Sequence, residues 1–102
     1  MIPEYIRYEL KAHTADDLIA AYGAASEHLR AAPECLGYEL SRCADAEDIF
    51  IVRILWRSAR DHMDGFRKGP HFPPFLELIR PFIGEIEEMR HYEPTAVTWT
   101  RA

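Results

Sequence analysis

Trp56 and His62 stand six residues apart in LWRSARDHMDGFRKGPHF, the stretch from Leu55 to Phe72. An indole can wall an aromatic pocket, and an imidazole titrating near neutrality can take a proton from a phenol. A phenolate or hydroquinone anion can then pass an electron directly to O2, chemistry that requires neither metal nor flavin. On this reading His62 is the proton acceptor and Trp56 the pocket wall. The plainer reading makes Trp56 core and His62 a residue of an exposed helix surface. His71 follows Gly69–Pro70 and reads as a loop histidine at the pocket mouth. Arg57, Arg60, Arg67 and Lys68 read as a solvated helix surface, and Ser58 with Asp61 as a helix cap.

Those residues need elements to hold them. IRYELKAH alternates, with Ile6, Tyr8 and Leu10 on one face and Arg7, Glu9 and Lys11 on the other, as a half-buried strand does. Thr14 with Asp17 three residues on forms a capping-box pattern. Leu18, Tyr22, Ala25 and Leu29 then make one apolar stripe at helical spacing, and Pro33 ends it. CLGYELSRC and DIFIVRILW follow as a hairpin around the charged link 44–47.

The second half repeats the plan. Ser58 caps a helix with Met63 and Phe66 as its inward residues, and Gly69–Pro70 breaks it. Pro73 or Pro74 starts a short helix through Leu76 and Ile79, and Pro81 stops it. GEIEEMRHYEP is a fourth strand whose alternation slips around Glu87–Met89, and TAVTWTR reads as one more short extended segment. The order β-α-β-β-α-β is the ferredoxin-like split βαβ plan, an α+β fold with helices on one face of an antiparallel sheet. It predicts a single domain over residues 1–102, with a core from about 5 to 94 and an extended tail at 95–102.

On the helix-covered face Trp56 would join Tyr8, Tyr38 and Phe50 in an aromatic wall. The opposite face carries Ile49, Ile51 and Leu55 around Arg53, so the central strand is apolar on both sides and needs cover on both. The chain has helices for only one side. A second copy, sheet against sheet, is the economical cover, with Arg7, Glu9, Glu39 and Arg53 pairing among the apolar contacts.

The 102 residues carry a net charge of −5, which argues against nucleic acid or an anionic membrane as partner, since both require a basic face. No apolar run approaches the ~18 residues of a membrane span, and the charged N-terminus MIPEYIRYELK does not fit a secretory signal. Cys35 and Cys43 end a strand about 26 Å long, far beyond the roughly 7 Å that a disulfide bridges. Reduced thiols fit a cytoplasmic protein. With no nucleotide fingerprint and no metal-ligand spacing, no flavin, haem or metal is expected.

PECLGYELSR, IFIVRILWRS, HMDGFRKGPHF and PFIGEIEEMRHYEP resemble the antibiotic biosynthesis monooxygenase (ABM) family over the span from Tyr5 to about Pro94. The resemblance implies a dimeric α+β barrel. It further implies oxidation of aromatic polyketides without a cofactor, quinol oxidation or oxidative haem breakdown, and in some members a truncated haemoglobin as partner. The haem-degrading branch uses a first-strand asparagine, a tryptophan and a histidine. This chain has no asparagine, Phe66 falls at the tryptophan position and Leu76 near the histidine, which speaks against that activity. Against the polyketide-oxidising branch, Trp56 matches a third-strand tryptophan, and Val52 replaces an asparagine. His62 replaces a tyrosine, and a second-strand histidine falls near Ser41–Arg42.

Two functions follow. One is a cofactor-independent monooxygenase for a small aromatic phenol, quinol or polyketide-like substrate, with His62 catalytic and Trp56, Tyr8, Tyr38, Phe66 and His71 around the substrate. The other is a non-catalytic dimeric binding module for a hydrophobic ligand or a haem-protein partner.

Overall fold

The computed structural model describes residues 1–102 and opens with β1 (Ile2–Glu9), followed by α1 (Ala15–Ala31), β2 (Cys35–Arg42) and β3 (Ile49–Trp56). A π-helical turn (Asp61–Phe66), α2 (Phe72–Ile79), a 3-10 segment (Arg80–Glu85) and β4 (Ile86–His91) complete the chain. The sheet order is β2-β3-β1-β4, antiparallel throughout, with β3 inserted between β1 and β2. This is the expected ferredoxin-like arrangement, with the helices on one face.

Local chemistry explains the elements. Thr14 and Asp17 exchange hydrogen bonds at the start of α1, the Asp17 amide donating to Thr14 Oγ1 at 3.2 Å and the Thr14 amide to Asp17 Oδ2 at 2.9 Å. Leu18, Tyr22, Ala25 and Leu29 are the buried face of that helix. They pack on Ile6, Tyr8, Phe50, Val52 and Ile54, the inward residues of the two central strands. Full burial of side chains of this size stabilises by about 1.5–3 kcal/mol each before chain entropy is subtracted.

Two sequence expectations about these elements require correction, those for Met63 and for TAVTWTR. Met63 is exposed, and His62 is buried in its place with Phe66. The Arg67 amide reaches back five residues to the His62 carbonyl at 2.9 Å, as a π turn does, and positions 62 and 66 share its buried face. The α-helix stops at Ile79, just before Pro81 as expected, and Pro81 lies in the first turn of the 3-10 segment that follows, where its missing N–H is no loss. The slip in the fourth strand is a bulge: Arg7 pairs with Glu88, yet Tyr8 pairs with Ile86, leaving Glu87 as the extra residue. TAVTWTR forms no strand, and Val97 and Trp99 are exposed.

Glu85 ties the 3-10 segment to the end of β1. Its Oε1 accepts from the amides of Lys11, Ala12 and His13 at 3.0, 2.6 and 3.2 Å, and its Oε2 pairs with His13 Nδ1 at 3.0 Å. Burial opposes its ionisation, but these donors outweigh that effect and hold its pKa down to about 2, below the ordinary 4.5. A depressed carboxyl pKa stabilises the fold above the unfolded value, and that stability is lost as pH falls from about 4.5 through 2. Glu85→Ala should therefore cost about 2–3 kcal/mol at pH 7 in a denaturant melt. Its deficit should shrink toward pH 2; an equal deficit at both pH values would refute this account.

Candidate functional site

β1 and β3 run side by side with Ile2 opposite Trp56, Glu4 opposite Ile54 and Ile6 opposite Val52, so these even-numbered positions share the helix-covered face. Beyond Trp56, the Asp61 amide donates to Ser58 Oγ at 3.0 Å, which starts the turn as the capping pattern requires. His62 then lies flat on Trp56, with ring centroids 4.3 Å apart and planes 9° from parallel. Phe66 packs against the same indole at 4.9 Å.

These rings border a cavity of about 250 Å³ between the sheet and the α2–3-10 stretch. Tyr8, Trp56, Phe66, Phe72 and Phe75 supply its aromatic walls, and Glu4, His62 and Arg67 gather as polar groups. Of the residues singled out in the sequence, the structure brings Tyr8, Trp56, His62 and Phe66 into one pocket.

Tyr38 and His71 are not part of it. Tyr38 faces the helices as expected, but it stands on edge strand β2 and lines a separate, more open cleft beside Tyr22, Leu40 and Arg42. The buried Tyr8–Tyr22 hydroxyl pair, 2.7 Å apart, stands between the two cavities. Burial pushes Tyr8 up to about 12, so this pair stays protonated at ordinary pH. His71 occupies the residue before α2, where its carbonyl accepts from the Phe75 amide, and it does not line the pocket.

Three further residues join the site, and of these the sequence reading missed Glu4 altogether. Glu4 is buried, and its Oε1 accepts from the Trp56 indole N–H at 3.1 Å. Its signal was visible in IPEYIRYEL, where Glu4 continues the Ile6–Tyr8–Leu10 alternation onto the buried face. Burial raises its pKa above the usual 4.5, with the Trp56 hydrogen bond and the charges of His91 and Arg67 opposing that rise. Arg67 is not plain solvated surface: its Nε donates to His62 Nε2 at 3.4 Å and its guanidinium lies 5.2 Å from the Phe72 ring centre. The neighbouring Arg57, Arg60 and Lys68 do form exposed ion pairs along the turn. His91 comes from β4, opposite Glu4, and its Nε2 meets His62 Nδ1 at 2.8 Å.

The setting changes what His62 can do. Desolvation first, then the charges of Arg67 and His91, push its pKa down to about 3. A phenol ionises near 10, so delivering its proton to so weak a base is strongly uphill. The expectation of a near-neutral imidazole base is not met. Glu4, made more basic by burial and open to the same cavity, is the better acceptor.

Glu4, His62 and His91 each bring one possible metal-ligand atom within 4.8 Å of the others. Yet the facing nitrogens of the two rings point at each other across one hydrogen bond, and the remaining nitrogen of His62 faces Arg67. Such a set forms a hydrogen-bonded chain rather than donors converging on one point.

A profile of the family described as antibiotic biosynthesis monooxygenase matches residues 1–78. A Bordetella bronchiseptica protein named as a candidate antibiotic biosynthesis monooxygenase superposes with TM-score 0.79 at 21% identity, covering 92% of this chain and 96% of that one. A similarly named protein from Chloroflexus aurantiacus gives TM-score 0.72 at 18% identity, with 96% of each chain covered. Rv0793 from Mycobacterium tuberculosis gives 0.69 at 22%, covering 92% of this chain and 94% of its own. No curated protein matches the sequence significantly. The superpositions speak for the fold, and the profile match across most of the sequence speaks for descent: the chain belongs to the antibiotic biosynthesis monooxygenase family.

Proposed function

We propose that this protein is a monooxygenase that oxidises a small aromatic phenol, quinol or related hydroxyarene with O2, using no metal or flavin. The observation that carries this reading is a buried carboxylate, Glu4, opening onto an apolar cavity of about 250 Å³ beside a Trp–His stack. The aromatic walls hold the substrate ring while its hydroxyl approaches Glu4. Glu4 takes the proton, and the Arg67 guanidinium offsets the charge left on the substrate oxygen.

The electron-rich anion then gives one electron to O2. Recombination of the resulting radical with superoxide forms a C–O bond. The peroxide anion takes the proton back from Glu4, and loss of water from the resulting hydroperoxide leaves a carbonyl, so one oxygen atom enters the product and the other leaves as water. Exclusion of bulk water from the cavity favours this sequence by protecting the radical pair.

Two further parts of the reading concern setting. The uncovered sheet face fits a second copy of the chain, making the active form a homodimer. The free thiols of Cys35 and Cys43 suit a cytoplasmic location. No helix is long and apolar enough to cross a membrane.

Oxygen uptake measured over a panel of phenols, quinols and anthrones, with and without added flavin and after treatment with a chelator, tests the reaction. Uptake that is enzyme-dependent and indifferent to both additions is expected, with one atom of labelled O2 in the product. Tight binding of panel members without oxygen uptake would instead favour the non-catalytic binding module.

A further inference from the structure

The chain of polar contacts does not stop at the pocket. It passes from Glu4 through His62 to His91, and His91 is only partly buried at the end of β4. The partners of His62 determine where its single ring proton lies. Arg67 has only N–H groups to offer, so His62 Nε2, 3.4 Å from Arg67 Nε, must be the bare acceptor. His62 Nδ1 then carries the hydrogen and donates to His91 Nε2 at 2.8 Å. Glu4 Oε1 lies 3.7 Å from the bare Nε2.

We infer that His91 is a positioning residue: it holds His62 as the Nδ1–H tautomer and so keeps Nε2 unprotonated, an acceptor that lies between Arg67 and Glu4. The inference rests on the function proposed above, because the lone pair matters once Glu4 has taken a substrate proton. The acid form of Glu4 must turn its new O–H somewhere. Trp56 offers only a donor to it, whereas His62 Nε2 offers an acceptor after a small side-chain movement that exchanges the long 3.4 Å contact from Arg67 for the Glu4 O–H. The opposite tautomer would point Nε2–H at Glu4 and at Arg67, repelling the acid form and wasting one contact. Three side chains face the His62 nitrogens: Glu4 from β1, His91 from β4 and Arg67 from its own turn. Of these only His91 can accept from Nδ1.

Long-range 1H–15N correlation spectra of protein labelled in its histidine rings report the tautomer directly and need no substrate. The wild type should show His62 protonated at Nδ1. His91→Phe removes the acceptor and should shift His62 toward the Nε2–H form, whereas His91→Gln, whose side-chain oxygen can accept, should restore Nδ1–H. In turnover, His91→Phe should lower kcat by about 10–100-fold with KM nearly unchanged, the usual effect of removing an outer partner, and His91→Gln should recover most of it. A wild-type His62 protonated at Nε2, or a tautomer indifferent to His91→Phe, would overturn the inference. If no hydroxyarene were oxidised, the proposed function would fall, but the spectra would still decide the tautomer.

Discussion

Glu4→Gln is expected to lower turnover of the hydroxyarene substrate by about 10²–10⁴-fold, the usual weight of one general base. The substitution is nearly isosteric, and the amide oxygen can still accept the Trp56 indole N–H, so the stack against His62 should survive. What disappears is the capacity to take a proton. Stability should move the other way. Burial raises the Glu4 pKa, so the folded state binds its proton more tightly than the unfolded chain does. Stability from that proton is fully present below the unfolded value of about 4.5 and is lost as pH rises through the folded one. Above the unfolded value the wild type loses stability that the glutamine variant, with no carboxyl proton to release, does not lose. Melting at pH 7 should therefore show a variant as stable as the wild type or more so. A variant that keeps wild-type turnover would remove Glu4 from the mechanism.

Ile51→Asp should convert a dimer into a folded monomer. The sheet face away from the helices presents Tyr5, Arg7, Ile51, Glu88 and Tyr92 around a shallow hollow. Ile51 lines it from β3, opposite Arg7 of β1, and is 39% exposed in the single chain. Its neighbour Arg53 is held by Tyr5, with Nε donating to the hydroxyl at 3.3 Å, so one charge on this face already has a polar partner. A carboxylate buried there without a partner costs about 3–5 kcal/mol, enough to weaken association at least a hundredfold. The wild type should sediment near twice 11.8 kDa, and the variant near that mass with its circular dichroism unchanged. A wild-type monomer at micromolar concentration would sink this assembly.

The alternation of Ile6, Tyr8 and Leu10, the Thr14–Asp17 box and the stripe from Leu18 to Leu29 were all readable from the residues, because each depends on neighbours one to four positions away. So were the placement of Trp56 on the helix-covered face and the cap at Ser58. These set the α+β plan and located the pocket between sheet and helices. The site chemistry was less legible. Spacing alone left open whether position 62 or 63 faced inward, because each shares a helical face with Phe66. Tyr38 shares a sheet face with Trp56, but its distance from the pocket depends on strand order and on the Tyr8–Tyr22 pair standing between. His91 joined His62 only because a bulge at Glu87 reset the register of β4 against β1. The weak basicity of His62 arises from burial and from two partners, one of them 29 residues away in the chain. Periodicity records which way a side chain leans from its own backbone. Desolvation and hydrogen bonding between distant segments exist only once the segments have met, and here they made His62 less basic and Glu4 more so.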